Sequence, residues 1–256
     1  MNYQPIDPIR YEPGFERADL APRTGGLPGA TGRSLALLRG RMTVLDLDGP
    51  LAQGLFALPR LSYRVLMRLS APASLALKVI GVEGVQLPEG EGVATQDFLL
   101  GDRPALGSAA VHAPAHILGE TFYSAVPFLY GDYMAKWQVA PISPALLVLK
   151  DQPVDDPRRA VAEYFATHGA EWDLRAQLCT DLAAMPIEDA RVAWPEDRSP
   201  FATVARIVVP PQFAWNQAPD ELESQLAFSP WHGLAAHRPL GAANRALRPA
   251  VREPVE

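Results

Sequence analysis

The sequence predicts an α+β fold built on an antiparallel sheet, open or closed into a barrel, with a few short helices. Three observations predict it. From Met42 onward, short apolar runs alternate with Gly, Pro and Asp punctuation. Two later stretches alternate apolar and polar residues at a period of two, as a sheet with one buried side requires. Between those two stretches lies a segment with a helical start, an apolar stripe and a glycine stop.

The elements follow in order. Residues 1–40 are rich in Pro, Gly and Arg without a sustained period, and read as an extended or poorly ordered N-terminal arm with a short helix around Ser34–Leu38. Residues 41–256 read as a single β-rich domain. Arg64–Ser70, Leu75–Val82 and Thr95–Leu100 each read as a strand. In the strand Tyr133–Val139, Tyr133, Ala135, Trp137 and Val139 share one face. In Trp172–Thr180, Trp172, Leu174, Ala176 and Leu178 share a face, with Asp173, Arg175 and Gln177 opposite. Ala202–Val209 is a further apolar run, closed by Pro210-Pro211. The helix spans Pro157–His168, with Asp155 or Asp156 as its cap, Gly169 as its stop, and Val161, Tyr164 and Phe165 as its stripe. Asp220–Phe228 reads as another short helix and Ala242–Leu247 as a weak one.

Composition bounds the function classes. The chain has 256 residues and is 48% hydrophobic, enough for a sizeable core. A net charge of −6 argues against a general nucleic-acid binder, which needs a basic field. One cysteine, Cys179, excludes an internal disulfide and a cysteine-rich metal site. The apolar run from Trp137 to Leu149 is broken by Pro141 and Pro144 and is too short for a transmembrane segment. The N-terminal residues lack the apolar core of a signal peptide, so the expected location is cytoplasmic.

Common catalytic motifs are absent: no G-x-x-x-x-G-K-[ST], no H-E-x-x-H and no G-x-S-x-G. Gly90-Glu-Gly92 starts like a dinucleotide loop and lacks the third glycine. His112 and His116 have helical spacing, but Pro114 between them points to structural or surface roles. Cys179 lies on the polar phase of its strand without an identifiable activating base and reads as an inert thiol. Asp181, Glu188 and Asp189 surround Met185-Pro186 and read as a self-capping turn rather than an acid–base pair.

The segment Leu226-Ala-Phe-Ser-Pro-Trp-His-Gly-Leu-Ala-Ala-His-Arg-Pro-Leu-Gly-Ala-Ala-Asn-Arg245 resembles the C-terminal core of small catalase-related haem proteins. Further blocks resemble the family in the same order, among them Tyr63-Arg-Val-Leu-Met-Arg-Leu-Ser70, Thr95-Gln-Asp-Phe98, His116-Ile-Leu-Gly-Glu120, Tyr130-Gly-Asp-Tyr-Met-Ala-Lys136 and Trp194-Pro-Glu196. Together they cover most of residues 42–248. The resemblance implies a catalase-like antiparallel β-barrel core and haem as the cofactor. It also assigns roles: Arg68 matches the arginine that meets a haem propionate, and Arg248 the arginine paired with the ligand tyrosine. Both are placed to grip an anionic ligand, or to bond carboxylates such as Asp97 or Asp102.

The chain departs from the family at the residues that carry chemistry. The distal-histidine motif is replaced by Arg33-Ser-Leu-Ala-Leu-Leu-Arg-Gly40, which has no histidine. Asp102 is the nearest substitute for the distal asparagine. Ala71-Pro-Ala-Ser74 bridges two strands directly, and the long stretch before His116 is reduced to Gly107–Ala115. The R-x-x-x-Y run reads Arg248-Pro-Ala-Val-Arg252, so an arginine stands where tyrosinate would hold iron. These losses argue against retained haem. The leading expectation is a catalase-like scaffold that serves as a non-catalytic binding or assembly module. A homo-oligomer or a protein partner would then cover the exposed barrel. The alternative is a haem-dependent catalase or peroxidase acting on hydrogen peroxide or organic hydroperoxides through an atypical axial ligand. His232 or His237, which otherwise read as core histidines satisfied by hydrogen bonds, would be that ligand, and Asp102 the replacement polar group.

Overall fold

The computed structural model describes residues 7–17, 34–90, 94–101, 116–150, 152–214 and 226–249. Nine strands form one antiparallel sheet: β1 Ser34–Val44, β2 Ser62–Ser70, β3 Ser74–Ile80, β4 Thr95–Gly101, β5 Phe122–Tyr123, β6 Phe128–Tyr130, β7 Tyr133–Pro141, β8 Ala170–Leu178 and β9 Ala202–Val209. Their order is β5-β4-β3-β2-β1-β9-β8-β7-β6, and β5 also pairs with β7. That second pairing closes eight of the strands into a barrel, with Gly101 opposite Tyr123 on one side of β5 and Phe122 opposite Val139 on the other. β6 hangs on β7 outside the closed ring.

Among the described residues three short α-helices accompany the barrel: α1 Pro144–Leu149, α2 Pro157–Thr167 and α3 Gly241–Arg245. In α2, Pro157 occupies the first turn and Asp156 Oδ1 accepts the Arg159 N–H at 3.1 Å. Its Val161 and Phe165 are fully buried. No helix among the described residues is long and apolar enough to cross a membrane.

Alternation sets the inside of the barrel. Met67, Leu77, Phe98, Trp137, Leu174 and Ile207 point inward and are 0% exposed. The inward phases of β7 and β8 are those the sequence predicts, including Trp137 and Trp172. Residues one position out of phase face outward, which is how Arg68, Lys78, Asp97 and Lys136 reach the outer surface of the sheet.

One element is corrected. Ser34–Leu38 is the start of β1, not a helix, and residues 34–40 belong to the barrel. Leu and Ala are strong helix formers, but intrinsic propensity is small beside tertiary context, and pairing with β2 overrides it. The sequence reading also omits β5, β6 and α1. The helix expected at Asp220–Phe228 lies mostly outside the described residues.

Candidate functional site

The outer face of β2, β3 and β4 carries the first group of candidates. Lys78 and Asp97 sit directly opposite one another on β3 and β4. Lys78 Nζ donates to both carboxylate oxygens of Asp97 at 2.7 Å. Asp97 is fully buried and also accepts the Ser229 N–H at 3.0 Å. His232 places Nδ1 3.5 Å from Asp97 Oδ2, while the Asp97 N–H donates to the His232 carbonyl at 2.8 Å. The Phe228 ring lies beneath Arg68 and Lys78, at 4.7 and 5.1 Å. Asp97 is thus a hub that ties residues 228–232 across the sheet. A buried carboxylate held by a cation and a backbone N–H is satisfied, and its first effect is positional.

Arg248 lies at the end of the C-terminal segment. Its Nε donates to Glu89 Oε1, and its guanidinium lies 4.9 Å from the Trp231 ring. The Glu89 side chain is fully buried. Trp231 in turn donates its indole N–H to the Asn244 carbonyl at 2.9 Å. Arg248 therefore bonds a carboxylate, but one that the sequence reading did not name.

His237 sits inside the barrel's aromatic cluster, 0% exposed. Ring centroids of Phe56, Tyr130 and Trp137 lie 5.5, 5.6 and 5.9 Å away. Nε2 accepts the Leu55 N–H at 2.9 Å, so the ring proton is on Nδ1, which faces the Leu129 carbonyl at 3.3 Å. Burial drives its pKa down to about 4 and keeps the ring neutral. Gly54 permits this packing: its φ is +51°, and a Cβ there would stand 2.5 Å from Nε2. Both nitrogens of His237 are thereby engaged by the backbone.

The remaining candidates divide simply. Cys179 packs with Met134, Met185 and Trp194, and burial pushes its thiol up to about 11. His116 accepts the Leu118 N–H at 3.3 Å, and burial lowers its pKa. Asp181 Oδ1 accepts the Ala183 N–H and Asp189 Oδ1 the Arg191 N–H, the self-capping geometry expected there. Glu188 instead accepts the Ala242 N–H at 2.6 Å, at the start of α3. Asp102, His112 and Arg252 lie outside the described residues. Sequence reasoning missed Lys78, Glu89 and Lys136. The available signal was a charged residue out of phase in an otherwise apolar strand, as in Ala76-Leu-Lys-Val-Ile80.

These donors do not compose a tyrosinate-held haem site. Burial raises the phenol pKa of Tyr11, Tyr63, Tyr130 and Tyr164, the reverse of what tyrosinate needs. Cys179 is held as a thiol, and His237 has no nitrogen to offer. His232 engages Asp97 through Nδ1, which leaves Nε2 as its coordinating atom. Among the described residues, no group of three or more His, Cys, Asp or Glu is placed to hold a metal ion.

No family model matches the sequence, and no curated protein matches it. Solved structures do. A fungal catalase aligns with a TM-score of 0.63 at 14% identity, over 89% of this chain and 59% of that one. Catalase A from Saccharomyces cerevisiae aligns at 0.59 and 14% identity, over 91% and 60%. A bacterial catalase aligns at 0.56 and 13% identity, over 89% and 57%. The chain thus spans less than two thirds of the length of each of these three catalases. The likeness is one of fold: the described residues form a catalase-like closed antiparallel β-barrel with short helices.

Proposed function

We propose that this chain is a degenerate relative of the catalases, with internal deletions, acting as a binding or assembly module without peroxide turnover. One observation carries the reading. The two arginines that the resemblance matches to a haem-propionate contact and to the partner of the ligand tyrosine are both engaged within the protein: Arg68 over Phe228, and Arg248 on the buried Glu89 and over Trp231. The sealed His237 supports it. A homo-oligomer belongs to the same reading, because Leu58, Val85, Val148 and Phe213 are 61, 77, 68 and 96% exposed. So does a cytoplasmic setting.

A second reading is favoured by a specific contact. An imidazole whose Nδ1 faces a carboxylate is oriented to present Nε2 to a metal, and His232 beside Asp97 has that arrangement. It would make the protein a haem-dependent peroxidase or catalase with an atypical axial ligand.

The test uses protein purified from cells grown with a haem supply. Oxygen release from hydrogen peroxide is followed together with sedimentation velocity. The expected result is no oxygen release and a concentration-dependent oligomer. Turnover that His232→Ala abolishes would establish the second reading, and a monomer at every concentration would remove the homo-oligomer.

A further inference from the structure

Away from the face described above, β7 and β8 carry a second outward group. Lys136 on β7 stands opposite Gln177 on β8 and is 4% exposed. Its Nζ donates to the Val192 carbonyl at 2.8 Å and lies 5.4 Å from the Trp194 ring. An ammonium has three N–H donors, and this carbonyl uses one. Among the described residues no salt bridge involves Lys136, in contrast to Lys78 with its buried Asp97. Lys136 also lines a cavity of about 20 Å³, shared with Ser124, Gln177, Trp194 and Phe201. Room for one water-sized occupant needs roughly 10–15 Å³.

The surrounding groups define what the cavity accepts. Ser124 Oγ accepts the Trp137 N–H at 2.8 Å, so its own O–H is available to donate. Gln177 Nε2 is spent on the Trp194 and Ser199 carbonyls at 3.3 and 2.7 Å. One carboxylate acts on the amine through space, and a second lines the cavity. Glu196 is exposed at the cavity's rim, and Asp189 acts through space while paired with Arg191 at 2.7 Å. A buried ammonium without a paired anion is costly, and adding one restores balance.

We propose that this cavity is a site for a single small monoanion of chloride size, held by the Lys136 ammonium and the Ser124 hydroxyl. A water could fill the volume but would leave the charge uncompensated. Consistent with an uncompensated cation, burial lowers the Lys136 pKa to about 8, against a small opposing effect of Asp189.

Lys78, Lys136 and Lys150 are the only lysines of the chain, so ¹⁵N-lysine NMR of the native protein resolves each amine. Titrations run in chloride and in sulfate at equal ionic strength. Chloride should raise the Lys136 pKa by about one pH unit or more, saturably, and leave Lys78 and Lys150 unchanged. Sulfate, larger than chloride and a dianion in a cavity that Glu196 also lines, should raise it less. Identical Lys136 titrations in both salts would mean water alone occupies the cavity, and all three amines moving together would mean screening; either overturns the site. Lys136→Met assigns the signal. Should that variant fail to fold, competitive acetylation of the native chain with peptide mass mapping assigns it instead.

Discussion

At the residue scale, His237 makes the sharpest energetic statement. In the folded protein its imidazole stays neutral down to about pH 4. In the unfolded chain it takes up a proton below about 6.5. The unfolded state therefore binds more protons across that window. The stability that His237 contributes is complete above about pH 6.5 and is lost as pH falls toward 4, by about 1.4 kcal/mol per pH unit. Urea unfolding of native protein and His237→Gln, from pH 7 to 4, checks this. The variant is less stable at pH 7, and the gap narrows by about 3 kcal/mol toward pH 4; a constant gap contradicts the assignment. Sequence reasoning reached His237 as a core histidine held by hydrogen bonds. Its partners were not legible, because Leu55 and Leu129 are 182 and 108 residues away and supply only backbone groups. Glu89 was invisible as the partner of Arg248 for the same reason, at a separation of 159.

At the element scale, strand phase is what carries the fold. Trp137 packs against Phe56, Phe98 and Tyr130 inside the barrel, and Phe165 of α2 stacks on Trp172 at 6.4 Å. Trp137→Ala and Trp172→Ala should each cost about 3–5 kcal/mol. Denaturant midpoints report this, and an unchanged midpoint for either variant contradicts the inward phase. β7, β8, β9 and α2 were legible because their alternation, caps and stops are local. β1 was not, because its Ser-Leu-Ala-Leu-Leu opening has buried residues on both faces and carries no period-two signal. β5 and β6 are two and three residues long, below the length at which any periodicity registers. α3 was legible as a weak helix over Ala242–Leu247, but what fixes its start at Gly241 lies elsewhere. Glu16 accepts the Gly241 N–H at 3.0 Å, and Glu188 accepts the Ala242 N–H.

At the scale of the whole molecule, the barrel follows from blocks in a fixed order, and its closure depends on one two-residue strand, β5, bridging β4 and β7. The catalase-like architecture was therefore legible from block order, while the closure itself is a property of tertiary pairing. The candidate site was legible only in part. His232 and Asp97 fall in recognisable segments, yet their meeting depends on the chain returning across the outer sheet face. Lys136 sits within a matching block, and only the structure shows its buried, unpaired charge. In the proposed reading fold and chemistry separate: the barrel persists while His237 and Arg248 form their contacts within the protein. An absorption titration of the apo-protein with hemin tests that separation most directly. Only nonspecific, non-saturating hemin uptake and no peroxide consumption are expected. A saturable one-to-one Soret shift, with oxygen released on adding peroxide, would contradict it.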